Sequence, residues 1–536
     1  MSFAPQPLSV DYHPAPTCAS GAQNKSLLRK QMESRMVHRI WKAGCLSLAT
    51  TLVVVPAGAG PQDNSLSWAS DSMPSNIDFY QHTIREGIVL AQHIWDTLLY
   101  RSSKSGEIEP HLAESFRYLD DTTIEFRLRQ GVHFHDGSAL TADDVVATVN
   151  YINSNTTALP LKFLAGAEKV DDYTVRVHTI GIFPPVLEFV ASMLPIYPAN
   201  YYAEVGPEGM SRAPIGTGPY RVIEHVAGER ITMESFDDYF GGVKGKPSID
   251  RIEFRRIGEF NTQAIELMSG GIDWIWRVPP DAMNRLQTVK SLATGTAETM
   301  RVAYIPMDAI GRAGESPLKD LRVRKAINHA IDREGIRAAL MGDGATLIET
   351  PCAPQQVGCV TDQITPYAYD PQLSRELLAE AGYPNGFDIE FWGYRDKPII
   401  EAVFGNLAEV GINARLTFVQ ASAIAQAREE GRTPFWFQAW GGWAIQDASA
   451  SIGQNFAGGA NDYARDPKII ELLEATRTND AQVRLDRFAE INAIMSEKAY
   501  TVPMFTYALN YAHNSQLEFT LTPDETPRFF EARWKQ

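Results

Sequence analysis

The spacing of apolar and polar positions changes period repeatedly along the chain, and each change marks an element. Residues 66–69 read as a short strand, with Asp71 and Ser72 in the loop that follows. Ile84 to Leu99 carries Ile88, His93, Ile94 and Leu98 about a turn apart, a helical pattern. Ile124, Phe126 and Leu128 face one way and Arg127 and Arg129 the other, as in a half-buried strand. Thr141 is a good N-cap with Asp144 at the capping-box position, and Val145, Val146, Val149 and Ile152 give the following helix its apolar face. A strand over 170–180 ends at Phe183-Pro184-Pro185, and a short apolar helix spans 186–194. A hairpin over 220–234 turns at Ala227-Gly228, and 251–257 is a strand. The helix Asn261–Met268 stops at Gly270-Gly271, before a short strand bearing Trp274 and Trp276.

From residue 300 strands and helices alternate. Strands are expected at 300–308, 388–394, 413–420 and 500–509, and helices within 319–341 and at 370–382, 397–410, 422–430 and 467–498, before a strand-poor tail. This alternation predicts a mostly parallel sheet for 300–505. Inside it lies Phe435–Asp447, FWFQAWGGWAIQD. Phe435–Ala439 reads as core strand. Trp440 and Trp443 flank Gly441 and Gly442, and an indole beside a bare backbone turn offers a wide apolar face and an N–H donor to a small molecule. Trp392, Tyr394 and Arg395 end a strand at its carboxyl edge, where open α/β sheets bind ligands, and Arg395 suits a carboxylate or phosphate. Trp276, Tyr507, Asp71, Ser72 and Asp447 are further candidates, with Trp274 and Met504 nearby in sequence.

Length and charge narrow the class. A chain of 536 residues exceeds one core. A net charge of −16 argues against nucleic acid as partner. No run of 18 apolar residues is present. Residues 1–59 read as an upstream extension and a cleavable signal peptide: Arg35, His38, Arg39 and Lys42 precede the apolar run Ala43–Val55, and Ala57-Gly58-Ala59 is the cleavage site. Removing them takes away six Lys/Arg and two Asp/Glu, so the net charge moves to about −20. Cys352 and Cys359, in the loop PCAPQQVGC of a chain read as exported, suggest a disulfide. His133, His135 and Asp136 permit an alternative reading, a secreted metal-dependent hydrolase, but no third histidine completes the set, and no cofactor or metal is expected. The turn IGTGPY, 215–220, lacks the phosphate-loop pattern.

Several motifs occur in a fixed order: PHLAES at 110–115, FRLRQGVHFHDGSALTADDVV at 126–146, IGTGPYRV at 215–222, GGIDWI at 270–275, VRKAINHAIDREGI at 323–336, YDPQLSRELLAEAGYPNGFDIEF at 369–391 and VPMFTY at 502–507. Together they resemble the bacterial extracellular solute-binding proteins of family 5, receptors for peptides, nickel and opines on ATP-driven (ABC) importers. The resemblance implies an α/β fold of the two-lobed periplasmic-binding-protein kind (type II), with an extra subdomain. It places lobe one at 60–300 with the subdomain near 106–210, lobe two at 301–504, and a return segment at 505–536. It implies a monomeric periplasmic receptor, no enzyme, that passes a small-molecule solute, a peptide, opine or sugar conjugate, to an inner-membrane ABC permease. Peptide-binding members hold an aspartate just after a Gly-Trp turn, and the matching place here falls on Trp443. With WGGWAIQDASA and the ending TPRFFEARWK, the chain looks more like receptors of opines and sugar conjugates.

Overall fold

A computed structural model describes residues 60–82, 84–155, 161–342 and 344–536. Residues 1–59, where the sequence leads one to expect an upstream extension and a signal peptide, lie outside the described residues.

Two main hydrophobic cores organise the chain. The first takes its side chains from 66–276 and 509–532, joined by Ile445 and Ala450; the second runs from Ala303 to Tyr507. One eight-stranded sheet serves both. Its order is Gln438–Trp440, Leu292–Pro306, Thr501–Asn514, Trp274–Trp276, Ser65–Ser70, Arg251–Arg256, Arg230–Ser235, Tyr220–Val226. Ser65–Ser70 is the central strand of the first core and is buried throughout. It pairs in parallel with 251–256 and 274–276, and Trp68 stacks on Phe254 at 3.9 Å. A separate antiparallel sheet, Ala113–Asp120, Thr123–Leu128, Thr174–Thr179, Leu164–Asp171, carries the helix Ala142–Ser154. The Asp144 carboxylate accepts the Thr141 N–H at 2.8 Å, the capping box read from the sequence.

The long strands Leu292–Pro306 and Thr501–Asn514 are the seam between the cores. They pair antiparallel from end to end, with register shifts between Glu298 and Val302 and between Ala303 and Tyr304. Opposite the first shift lies Tyr507, whose carbonyl accepts from Thr299 Oγ1 at 2.9 Å. A break of this kind bends the ladder where the chain passes between cores.

The mostly parallel sheet expected for 300–505 is not what forms. Phe387–Gly393 and Ile412–Phe418 do pair in parallel, and Trp392 bridges to Trp436 in parallel. The seam strands and Gln438–Trp440 run antiparallel, because the chain crosses between the cores on Leu292–Pro306 and returns in the opposite direction on Thr501–Asn514. Helical periodicity overran two breaks. The helix Arg85–Ile94 ends five residues early and Leu99–Arg101 is a strand. Region 319–341 contains the expected helix, Leu321–Ala330, and a second, Arg333–Leu340, capped by Asp332 on the Gly335 N–H. Region 467–498 is likewise two, the second capped by Asp480. The strand at 170–180 is half of a hairpin, the helical stretch Ala199–Arg212, kinked at Gly206, was not anticipated, and the tail is less strand-poor than expected because Thr501–Asn514 runs on.

Cys352 and Cys359 are joined, with Cα atoms 5.8 Å apart. Among the described residues no helix is long and apolar enough to cross a membrane.

Candidate functional site

Where the seam strands change register, a cavity of about 740 Å³ opens between the cores. Four arginines line it: Arg85, Arg277, Arg301 and Arg395. Each reaches it from a different element, so their convergence is a product of tertiary folding.

Arg301 stands in the register break. Its Nε and Nη2 donate to the two carboxylate oxygens of Glu525, at 3.0 and 2.7 Å, a bidentate pair. Burial pushes the Glu525 carboxyl up, but Arg301 and then Arg85 outweigh it and hold it down at about 2. Arg85, the first residue of its helix, reaches the same carboxylate at 3.3 Å. Arg277 follows Trp276 with φ of 55° and lays its guanidinium over that indole, 4.4 Å from the ring centre. Its Nη1 donates to Glu86 at 2.7 Å and to Asp71 at 3.0 Å, while Trp276 Nε1–H donates to Ser70. Arg395 donates to Asp396 Oδ2 at 2.6 Å and lies over the Tyr507 ring at 4.9 Å. The Tyr507 hydroxyl donates to the same Asp396 oxygen at 2.5 Å. Burial opposes the Arg395 charge, but Tyr507 and Asp396 overcome it and the guanidinium pKa rises. The lining also holds Asp281, an exposed carboxylate with no hydrogen bond or ion pair among the described residues.

Of the residues expected at the site, Arg395, Trp276 and Tyr507 line this cavity. Asp71 stands one layer back, holding Arg277; Ser72 is half-buried outside the lining. Trp440, Gly441, Gly442 and Trp443 also stand behind the wall. Gly441 presses on Arg301: a Cβ there would lie 3.1 Å from its Nη2. Trp440 donates to the Ala450 carbonyl and meets Trp443 edge-on at 4.7 Å. Trp443, with φ of 52°, packs against the first core. Three residues stand elsewhere for clear reasons. Asp447 is buried in an ion pair with Arg484 at 2.8 Å and caps Ser449. Trp392 packs among Ile424, Ala427, Trp436 and Tyr463. The Tyr394 hydroxyl is committed to the Ala439 carbonyl. Trp274 and Met504 are core residues.

Sequence reading missed Arg85, Arg277, Arg301 and Glu525. The available signal was an arginine inside an apolar strand (MRVAYIP) and another directly after a Trp-Ile-Trp strand, each costly to keep there without a partner.

The metal reading of His133, His135 and Asp136 fails on geometry. His135 Nδ1 accepts the Gly216 N–H and its Nε2–H donates to the Gly218 carbonyl, so both ring nitrogens are engaged. Asp136 caps Ser138, and His133 is exposed. Gly216 and Gly218 are glycines because they abut helix Arg85–Ile94: a Cβ would sit 2.0 Å from the Ile94 carbonyl oxygen and 2.5 Å from that of His93. The IGTGPY turn is therefore a packing device. Among the described residues no group of three metal-ligating side chains occurs.

Two cores bridged by paired crossover strands, with a polar cavity at the crossing, define a two-lobed binding protein. The profile described as bacterial extracellular solute-binding proteins, family 5 (middle) matches residues 107–462, and the chain belongs to that family. It is 28% identical over 390 residues to heme-binding protein A of Haemophilus influenzae, covering 66% of this chain and 69% of that protein. It is 26% identical to the glutathione-binding protein GsiB of Salmonella paratyphi A, over 94% of this chain and all of that one. Among solved structures, HbpA2 of Haemophilus parasuis superposes with a TM-score of 0.76 at 24% identity, over 88% of this chain and 100% of that one. The chain is thus a solute-binding protein of an ABC importer and not an enzyme.

Proposed function

We propose that the chain is a monomeric periplasmic receptor that captures an organic anion, an opine or a sugar conjugate bearing carboxylate or phosphate, in the arginine-lined cavity and delivers it to an inner-membrane permease. The lobes in this reading are 60–300 with 505–536, including the subdomain near 106–210, and 301–504. The observation that carries it is the convergence of four guanidiniums on one cavity at the lobe crossing. Two things argue against a free peptide amino terminus near the aromatic turn: Trp443 occupies the place of the family's aspartate, and Asp447 is consumed by Arg484. A second reading, an acidic peptide, is favoured by one observation. Asp281 is a free carboxylate in the lining and suits an ammonium group; two of the relatives are named for glutathione and heme.

Contacts between lobes support closure over the solute. Asn479 donates to Asp121 at 3.0 Å, and Ile445 and Ala450 of lobe two enter the core of lobe one. Native mass spectrometry of the chain purified from an exported pool tests the reading. A co-purifying small anion that dialysis removes is the expected result. A chain that carries no solute, and binds none from a library of opines, sugar phosphates and acidic peptides, would contradict it.

A further inference from the structure

The charges around the cavity do not cancel. Each of its four guanidiniums already faces a carboxylate. Arg85 and Arg301 share Glu525, Arg395 holds Asp396, and Arg277 holds both Asp71 and Glu86. Those four carboxylates match the four guanidiniums in number, so the paired groups together carry no net charge. Asp281 lines the same cavity as a fifth carboxylate and is left over. The unmet charge of the site is therefore negative.

Among the described residues nothing in the fold uses Asp281. It is the second residue of the helix Pro280–Leu286, which has no side-chain cap. Arg285, one turn further along, forms no ion pair with it among the described residues. A carboxylate in the first turn of a helix is favoured by the macrodipole, which accounts for an acid being tolerated there but not for its place in the cavity wall. The neighbouring wall supplies no competing cation or donor. No lysine stands in the lining, Pro279 and Pro280 have no N–H, and the Asn510 amide donates to the Val278 carbonyl at 3.1 Å. Capacity for an anion remains elsewhere in the cavity. Nε and Nη2 of Arg277 and Nη1 and Nη2 of Arg395 have no hydrogen-bond acceptor among the described residues, and those side chains are 41% and 36% exposed.

Resting on the solute reading of the cavity, we infer that the solute is a zwitterion and that Asp281 is the residue that selects its cationic nitrogen. The carboxylate or phosphate of the solute takes the open N–H edges of Arg277 and Arg395, and its ammonium faces Asp281, which completes the charge balance of the site. A nitrogen-free sugar phosphate or dicarboxylate would set its own negative charge beside an uncompensated carboxylate. Opines and acidic peptides, which carry an ammonium near a carboxylate, fit; sugar conjugates fit only when they bear an amine.

Two probes of equal size separate the charges. One is N-carboxyethyl-alanine, with a secondary ammonium between two carboxylates; the other is oxydipropionate, in which an ether oxygen replaces that nitrogen. Each is titrated into the dialysed full chain, and into Asp281→Asn and Asp281→Glu, by calorimetry at neutral pH. The ammonium probe is expected to bind about tenfold tighter than the ether, as for a charged hydrogen bond. That preference is expected to vanish in Asp281→Asn and to persist in Asp281→Glu. A preference that survives in Asp281→Asn overturns the inference, because another group then reads the nitrogen. Equal affinities in the wild type overturn it as well, and that comparison decides alone should Asp281→Asn fail to fold. Equal binding leaves the receptor reading of the cavity standing and removes only the nitrogen requirement. Binding of neither probe counts against both.

Discussion

At the scale of single residues, the site is a set of charges held in place by other charges. Tyr507 shows how. It stands on the strand Thr501–Asn514, donates to Asp396, and puts its ring under Arg395, so one side chain fixes both members of the Arg395–Asp396 pair. Tyr507→Phe keeps the ring and removes the donor. A hydrogen bond to a charged group contributes about 1.5–3 kcal/mol. We expect a loss of stability in that range by urea unfolding, and about tenfold weaker solute binding, since 1.4 kcal/mol is tenfold. Affinity unchanged beside a real stability loss would make the link structural alone. The residue scale is also where sequence reading was thinnest. Arg395 and Trp276 were legible because each ends or follows a recognisable strand, and Tyr507 because it lies near the expected second crossover. Arg85 and Glu525 were not, because their significance is a meeting of residues 440 positions apart in the chain. Asp447 misled for a related reason: nothing local announces that Arg484, on a later helix, takes its charge.

At the scale of elements, the Trp440–Trp443 turn is the informative case. Its glycines and indoles read as a ligand surface, and the structure makes it the back of the wall and part of the joint between cores. Trp443 and Ala444 both have positive φ, 52° and 65°, which L-residues adopt at a cost. Packing of Trp443 against the first core offsets that cost. We therefore expect Trp443→Ala to loosen the lobes: small-angle scattering of the solute-free chain should give a larger radius of gyration than wild type. Unchanged scattering would return the residue to a purely local role. The disulfide is an element-scale staple of a different kind. Cys352 is buried in a satellite core with Phe488 and Ile491. Closing so short a loop is worth about 2.5 kcal/mol by chain entropy. Cys352→Ser should cost about that in denaturant unfolding, with the solute affinity retained. Most of the long helices and the Thr141–Asp144 capping box were legible because they rest on local spacing. The seam strands were half legible: their apolar character is local, but their antiparallel pairing over both cores depends on the route of the whole chain.

At the scale of the whole molecule, buried histidines govern the response to acid. Burial pushes His82 down to about 4, His93 to about 3 and His135 to about 4. These rings are neutral when folded, so the unfolded chain binds protons first as pH falls below about 6.5. Their contribution is complete above that pH and is lost progressively down to their folded values. Glu525 adds a second loss, present above its ordinary 4.5 and gone as pH falls through about 2. Calorimetry should show Tm highest above about pH 6.5 and falling throughout the range from there to pH 3. A Tm that stays level from pH 7 to pH 4 would contradict the buried-neutral assignment. The two-lobed class itself was legible from ordered motifs, and the reason is now physical. PHLAES and IGTGPY build one buried joint, in which His111 at 2.9 Å and Lys244 at 2.7 Å hold Asp96, and Thr217 donates to its other oxygen. Burial pushes that carboxyl up, yet Lys244 and His111 hold it well below the usual range.

The central claim is that the solute lies between the lobes among the four arginines. A crystal structure of the chain with its co-purified solute tests it most directly. Density inside the 740 Å³ cavity, with an anionic group facing a guanidinium, is the predicted result. Density in another hollow, such as the 390 Å³ one walled by Tyr80, Tyr151, Tyr197 and Tyr202, with the arginine cavity empty, would contradict it.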